Sequence, residues 1–285
     1  MINTVAIVGV GLIGGSFGLS LRKVGFAGEI LGVSSPGATS AGLRAGAISS
    51  SGTLAEAAAR ADVLYLAQPI DRILVTIERL GGLLAKQRRS AGVLVTDAGS
   101  TKAAIVAKAK AALPAHSFLG GHPMAGKEKS GVEVSDADLF VGRPYVLTPS
   151  PGFDNPLAEE FRGWIGRTGA RLVEMTPEEH DAVVALTSHL PQLISTTLAL
   201  TLAAHPNPYI AQVHGSGLLD MTRLAMSSAD LWESIISTNQ SDILHALDDF
   251  SERLRMVRKA VLAGDISTSF VEARTLSSEL RRLSS

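Results

Sequence analysis

The chain has 285 residues, 46% of them hydrophobic and 19% charged, a composition that fills a buried core and excludes disorder for the bulk of the chain. Lys and Arg total 26 against 27 Asp and Glu, so a net charge of -1 offers no global basic field for nucleic acid or an anionic membrane, and a small-molecule partner is expected. With no Cys there is no disulfide, thiolate nucleophile or Cys-ligated metal; no metal site is expected, and the composition is compatible with a reducing cytoplasm.

The N-terminal residues lack the basic start and small-residue cleavage site of a secretory signal, and no apolar run is expected to span a bilayer. From Thr4 to about Met175, short β-branched runs alternate with amphipathic stretches: Thr4 to Val8, Glu29 to Val33, Val63 to Leu66, Val93 to Thr96, Phe118 to Leu119, Tyr145 to Leu147 and Arg171 to Val173. That rhythm predicts an α/β fold, a Rossmann-type domain of βαβ units around a mostly parallel sheet. The Ser-rich stretch Ser49 to Gly52 is too short for a linker. Thr176-Pro177-Glu178-Glu179 reads as a helix start, with Thr176 as N-cap, Pro177 at the first helical position and Glu179 closing a capping box. Ala-, Leu- and Ser-rich helical segments follow, broken near Pro206 and Pro208 and around Gly215 and Gly217, so two domains are expected, 1–175 and an all-helical 176–285. Lys plus Arg exceed Asp plus Glu by 18 to 14 in the first part and trail by 8 to 13 in the second, which suits the first part to an anionic cofactor.

Gly9-Val10-Gly11-Leu12-Ile13-Gly14 follows the first strand and opens a helix reaching about Val24. Gly9 permits a tight turn, Gly11 lets the backbone approach a pyrophosphate, and Gly14 allows helix and strand to pack. The backbone N–H groups of Leu12 and Ile13, with the helix dipole, favour a diphosphate. The second strand ends at Ser34 and Ser35, where a carboxylate would read the ribose 2′-hydroxyl of NAD and repel the 2′-phosphate of NADP. Ser34 removes that repulsion, so NADP is expected ahead of NAD, although the nearest Arg is Arg44.

Three further segments carry chemistry. Asp97-Ala98-Gly99-Ser100-Thr101-Lys102 joins a strand end to a helix start, where Ser100 either hydrogen-bonds a substrate oxygen or caps the helix. Gly120-Gly121-His122-Pro123-Met124-Ala125-Gly126 is predicted to hold one imidazole on an irregular loop after a strand, suited to accepting a hydroxyl proton as hydride leaves the same carbon. Glu128 sits in a charge cluster that by default is solvated. His180 and His189, nine residues apart, fall on opposite sides of one straight helix, whereas His189 and Gln192 share a face and Pro191 kinks the helix between them. Asp220 and Arg223 form a surface ion pair by default, unless Arg223 faces the cleft and offers its planar fork to a carboxylate.

Gly-Leu-Ile-Gly-Gly-Ser (11 to 16), Asp-Ala-Gly-Ser-Thr-Lys (97 to 102), Gly-Gly-His-Pro-Met-Ala-Gly (120 to 126), Ser-His-Leu-Pro (188 to 191) and Asp-Met-Thr-Arg (220 to 223) together resemble the prephenate/arogenate dehydrogenase family of tyrosine biosynthesis, in order over almost the whole chain. The resemblance implies a dinucleotide-binding N-terminal domain, a helical C-terminal domain forming a homodimer, and active sites in the cleft between the two. It matches His122 to the catalytic His that polarises the ring hydroxyl of the substrate, Ser100 to the Ser that hydrogen-bonds this hydroxyl and orients the His, and Arg223 to the Arg that binds a substrate carboxylate. It further matches His180, Glu128, Asp220 and Trp232 to positions around the site; where Gln192 stands, some prephenate-specific members have His. Members of the family can carry a chorismate mutase segment or an ACT domain, for which the residues after Trp232 leave no expected room. The rival readings are a β-hydroxyacid- or imine-type dehydrogenase, which would not need the His122 segment, and a non-catalytic dinucleotide sensor.

Overall fold

A computed structural model describes residues 1–86 and 92–284. The seven apolar runs and the Ser-rich stretch supply the strands of the described residues: β1 (Thr4–Val8), β2 (Glu29–Val33), β3 (Ser50–Ser51), β4 (Val63–Leu66), β5 (Leu94–Asp97), β6 (Phe118–Pro123), β7 (Pro144–Thr148) and β8 (Arg171–Glu174). They form one sheet in the order β3-β2-β1-β4-β5-β6-β7-β8, in which only β6 and β7 pair antiparallel. Helices α1 (Leu12–Lys23), α2 (Pro36–Arg44), α3 (Leu54–Arg60), α4 (Ile70–Ala85), α5 (Ala103–Ala112) and α6 (Pro156–Arg167) cover both faces. All four residues of β4 are buried, as a strand covered on both sides requires. One core layer centres on Phe17, which stacks on Tyr65 at 4.1 Å; the other holds Leu64, Ile73, Ile77 and Ile105. The strand order reverses between β1 and β4, and the crevice at their carboxyl ends is where such sheets take ligands.

The Ser-rich stretch supplies a short edge strand, Ser50–Ser51, beside β2, its Ser50 hydroxyl donating to Glu29 at 2.6 Å. One reading of the sequence needs correction in this domain: His122 stands within β6 and not on a loop after it. β5 ends at Asp97, and from Gly120 onward β6 pairs instead with β7, His122 opposite Val146. Glycine and proline have low strand propensity, but the antiparallel partner satisfies the backbone and overrides it.

The helical part opens at α7 (Pro177–Val184) with the expected capping box, Thr176 Oγ1 accepting from Glu179 N at 3.1 Å and Glu179 Oε2 from Thr176 N at 2.8 Å. A π turn (Ala185–His189) continues directly into α8 (Leu190–Ala203). The result is a continuous helix of 27 residues whose mean hydropathy reaches 1.3; by length and composition alone it could cross a membrane, contrary to expectation. It nevertheless buries His180, Asp181, His189 and Gln192 against the rest of the chain. The π turn also corrects the straight-helix reading, because its wider turns lag behind the α-helical advance and His180 and His189 are both buried. Pro191 explains its position: lacking N–H and crowding the preceding turn, it relaxes the ladder just upstream.

Then follow α9 (Ile210–Val213), α10 (Ser216–Thr222), a 3-10 turn (Arg223–Met226), α11 (Ala229–Thr238), α12 (Gln240–Ala263) and α13 (Ser267–Ser284). α11 returns to the α/β domain, where Ile235 and Trp232 join the core beneath α4. Ile243 and Ala246 of α12 pack on Ala185.

Candidate active site

At the β1–α1 turn the backbone itself borders an open groove. Gly9 has φ 102°, and a Cβ there would lie 2.4 Å from the Ala67 carbonyl oxygen; one on Gly14 would lie 2.1 Å from that of Gly9. The fold therefore requires both glycines. Gly11 differs, since a Cβ on it would meet nothing within 4 Å. It opens instead on a 450 Å³ groove lined by Gly9, Val10, Gly11, Ser34, Ala38, Gln68 and Glu133. No side chain caps α1, and its first turn holds no acidic residue, so the N–H groups at Leu12 and Ile13 remain available to an anion. These features fit a dinucleotide pyrophosphate. Ser34 is exposed on the groove, while Ser35 is engaged as N-cap of α2, accepting from Ala38 N at 3.5 Å.

Beyond β5 and β6 lies a second, side-chain-built region where the domains meet. His122 Nδ1 is 2.8 Å from His180 Nε2, and His180 Nδ1 is 2.7 Å from Asp181 Oδ1. The Asp181 carboxylate also accepts from the backbone N–H of Lys102 at 2.7 Å and of Ala103 at 2.9 Å, capping α5. Ser100, half-buried two residues before Lys102, caps nothing; that role belongs to a residue from the other domain. Thr101 Oγ1 meets Thr238 Oγ1 at 2.8 Å across the same boundary.

A buried ion pair underlies the region. Asp97 and Lys102 are both fully buried and bonded to each other. Asp97 also accepts from Gly99 N at 2.8 Å and from Gly121 N at 3.1 Å, so one carboxylate braces the backbones beside Ser100 and His122. Such satisfaction is what makes a buried pair tolerable. Burial pushes the Lys102 ammonium down, opposed by Asp97 and then Asp181. The His122 imidazole is held well below its ordinary value, first by burial, then by the neighbouring His180, Lys102 and His189, beside which a second positive charge is disfavoured. His189, lowered to about 4 chiefly by burial, lies 5.8 Å edge-on from Trp232. Its Nδ1 is 3.3 Å from the Asn239 amide, which donates to the Asp181 carbonyl at 2.8 Å.

The remaining predicted residues are arranged on either side. Trp232 is half-buried, its indole N–H buried without a partner. Gln192 is buried and fully occupied, donating to Leu224 O at 2.8 Å and accepting from the Ser227 hydroxyl at 3.2 Å, and so anchors the turn that carries Arg223. Arg223 does not take Asp220 as its partner; it reaches Glu128 of the nucleotide domain at 3.4 Å, both side chains more than half exposed. Asp220 is exposed. Sequence reasoning missed the roles of Asp97, Asp181 and Asn239 in bracing the histidines; the acid directly following His180 was the available signal.

Fold and site together have the form of a dinucleotide-binding α/β domain joined to a helical one. A family model described as "Prephenate dehydrogenase, nucleotide-binding domain" matches residues 17–174, and one described as "Prephenate dehydrogenase, dimerization domain" matches residues 176–274. A prephenate dehydrogenase of Bacillus subtilis is 33% identical over 95% of this chain and 73% of its own. A crystal structure of prephenate dehydrogenase from A. aeolicus with hydroxyphenyl propionate and NAD+ superposes with a TM-score of 0.87, at 30% identity over 99% of this chain and 98% of that one. Synechocystis arogenate dehydrogenase gives 0.82, at 28% identity over 98% and 99%. The chain belongs to the prephenate dehydrogenase family and is a dehydrogenase of tyrosine biosynthesis.

Proposed function

We propose that the chain oxidatively decarboxylates prephenate to 4-hydroxyphenylpyruvate, or arogenate to tyrosine, with His122 as the base. The observation that carries this reading is the His122 ring, half-buried at the carboxyl edge of the sheet, tied through Nδ1 to His180 and flanked by the Ser100 segment. A base must be neutral to act, and the surroundings of His122 favour its neutral form. Ser100 hydrogen-bonds the ring hydroxyl and aligns it with His122. Arg223 binds a carboxylate through charge-assisted bonds, with Gln192 holding its turn. Glu128, Asp220, His180 and Trp232 border the same cleft.

Gly9, Gly11, Gly14, the backbone of Leu12 and Ile13, and Ser34 with Ser35 hold the dinucleotide, which when bound supplies the acceptor for hydride from C4 of the ring. His122 takes the hydroxyl proton as the C4 carbonyl forms, and the ring carboxylate then leaves as CO2 because the product ring is aromatic. The chain's own task is orientation and removal of one proton. Ser34 offers no charge to repel a 2′-phosphate, so NADP is the favoured partner and NAD the alternative. The helical domain, 176–285, is read as the dimer contact of a cytoplasmic homodimer; Val261, Leu262, Phe270 and Val271 leave 64–72% of their surface uncovered within one chain.

A kinetic matrix of both ring acids against both dinucleotides tests the reading. Turnover of at least one ring acid is expected; activity confined to small β-hydroxyacids, or dinucleotide binding without turnover, overturns it.

A further inference from the structure

Asp181 stands on α7 of the helical domain, and its carboxylate, 2% exposed, has all its partners at the domain boundary. Oδ1 accepts from His180 Nδ1 at 2.7 Å and from Lys102 N at 2.7 Å; Oδ2 accepts from Ala103 N at 2.9 Å. The last two belong to the start of α5, directly after Ser100 and Thr101, so one side chain fastens the helical domain to the catalytic edge of the nucleotide domain.

A carboxylate has no hydrogen to give, so the contact with His180 requires the His180 proton on Nδ1. Neutral His180 then presents a bare Nε2 lone pair, 2.8 Å from His122 Nδ1. Two lone pairs cannot share that distance, and His122 must carry its own proton on Nδ1. What remains on His122 is an unprotonated Nε2, the atom a general base needs.

We propose that Asp181 is a positioning residue that sets the tautomers of both histidines from across the domain boundary, so that His122 is poised as a base only while the two domains are docked. The proposal rests on the reading of His122 as the base. In the step itself the hydroxyl O–H bond breaks and an N–H bond forms at Nε2. The electron pair freed on oxygen makes the carbonyl as hydride passes from C4 to the oxidised nicotinamide. His122 becomes an imidazolium whose Nδ1–H stays on His180, and Asp181 steadies that charge through His180 without taking a proton. Facing His122 are His180 of α7, His189 of the π turn and Lys102 before α5, the last paired with Asp97 of β5.

Histidine tautomers are read directly on the full-length wild-type enzyme labelled with 15N-histidine, from long-range 1H–15N spectra. His180 and His122 both protonated on Nδ1 is the expected result, and an Nε2–H form of His122 overturns the proposal. In Asp181→Asn, kcat is expected to fall roughly 100-fold, with KM and dinucleotide Kd within threefold, and the acid limb of kcat/KM to move to lower pH as the imidazolium loses its counter-charge. An unchanged kcat, or a lower kcat with an unmoved limb, overturns the proposal. His122→Asn with full kcat would instead defeat the base assignment, leaving the tautomer result to stand.

Discussion

The nucleotide turn and the histidine seam lie at the same edge of one sheet and are built in opposite ways. The turn is contiguous: Gly9, Gly11 and Gly14 act within one loop through backbone geometry, without side chains. The seam draws Asp97 from β5, His122 from β6, His180 and Asp181 from α7, His189 from the π turn and Asn239 ahead of α12. Anion binding needs only N–H groups pointing one way, which a local turn provides. Moving a proton needs a chain of donors and acceptors with fixed polarity, which takes several elements to hold.

The largest expected effect strikes the seam alone. His122→Asn removes the proposed base and keeps the strand, so kcat should drop roughly 1,000-fold while dinucleotide Kd, measured by titration calorimetry, stays within twofold. The wild-type pH profile belongs to the same test. The proposed base must be neutral, so activity is expected above the folded pKa of His122 and should be lost as pH falls through it. Because burial, His180, Lys102 and His189 all lower that pKa, the acid limb should lie below the ordinary histidine value of 6.5. A limb above that value would contradict the electrostatics of the seam.

Arg223→Ala comes next, with KM raised roughly 10- to 100-fold, as loss of a charge-assisted bond implies, and kcat reduced far less. A kcat loss larger than the KM rise would make Arg223 part of the chemistry. At the turn, the two kinds of glycine should separate. Gly14→Ala drives a methyl into the Gly9 carbonyl and should cost about 1–3 kcal/mol of stability along with dinucleotide affinity. Gly11→Ala, with open space around it, should leave the thermal midpoint unmoved and weaken dinucleotide binding about tenfold, a difference of about 1.4 kcal/mol. Equal destabilisation by both would mean that Gly11 serves the fold and not the ligand.

The same contrast explains what the sequence disclosed. The turn, the first two strands and the Thr176 capping box were legible because their physics is local. The position of His122 within a strand was not, because Gly-Gly-His-Pro becomes a strand only when β7 pairs with it. The His180–His189 relation was misread for want of one feature, the π turn that Pro191 induces downstream of a regular helix. Arg223 was assigned its nearest acid in sequence, and found Glu128 on another domain. Asp181 stood next to His180 throughout, but its significance rests on two N–H groups nearly eighty residues away.

Ser34→Asp probes the groove more gently. Its side chain stands exposed on the wall of the cavity, so a carboxylate there would repel a 2′-phosphate and accept from a 2′-hydroxyl. The ratio of Kd values should shift toward NAD by about tenfold, a change of roughly 1.4 kcal/mol, and an unchanged ratio would place the 2′ position elsewhere.

Thr176→Ala should do least, and what it leaves intact is the informative part. Thr176 caps α7 only four residues before His180, whose N–H bonds the Thr176 carbonyl at 3.0 Å, so fraying of that turn could in principle loosen the relay. The substitution keeps that carbonyl and removes only the hydroxyl accepting from Glu179. Lost caps typically cost about 1 kcal/mol, and the thermal midpoint should fall by a few degrees. Yet His180 and Asp181 are gripped from outside their helix, by His122, Lys102, Ala103 and Asn239, so tertiary contacts rather than the cap set their positions. kcat and KM should therefore stay within twofold of wild type; a tenfold loss of kcat in a folded variant would show that the seam, like the turn, depends on local structure.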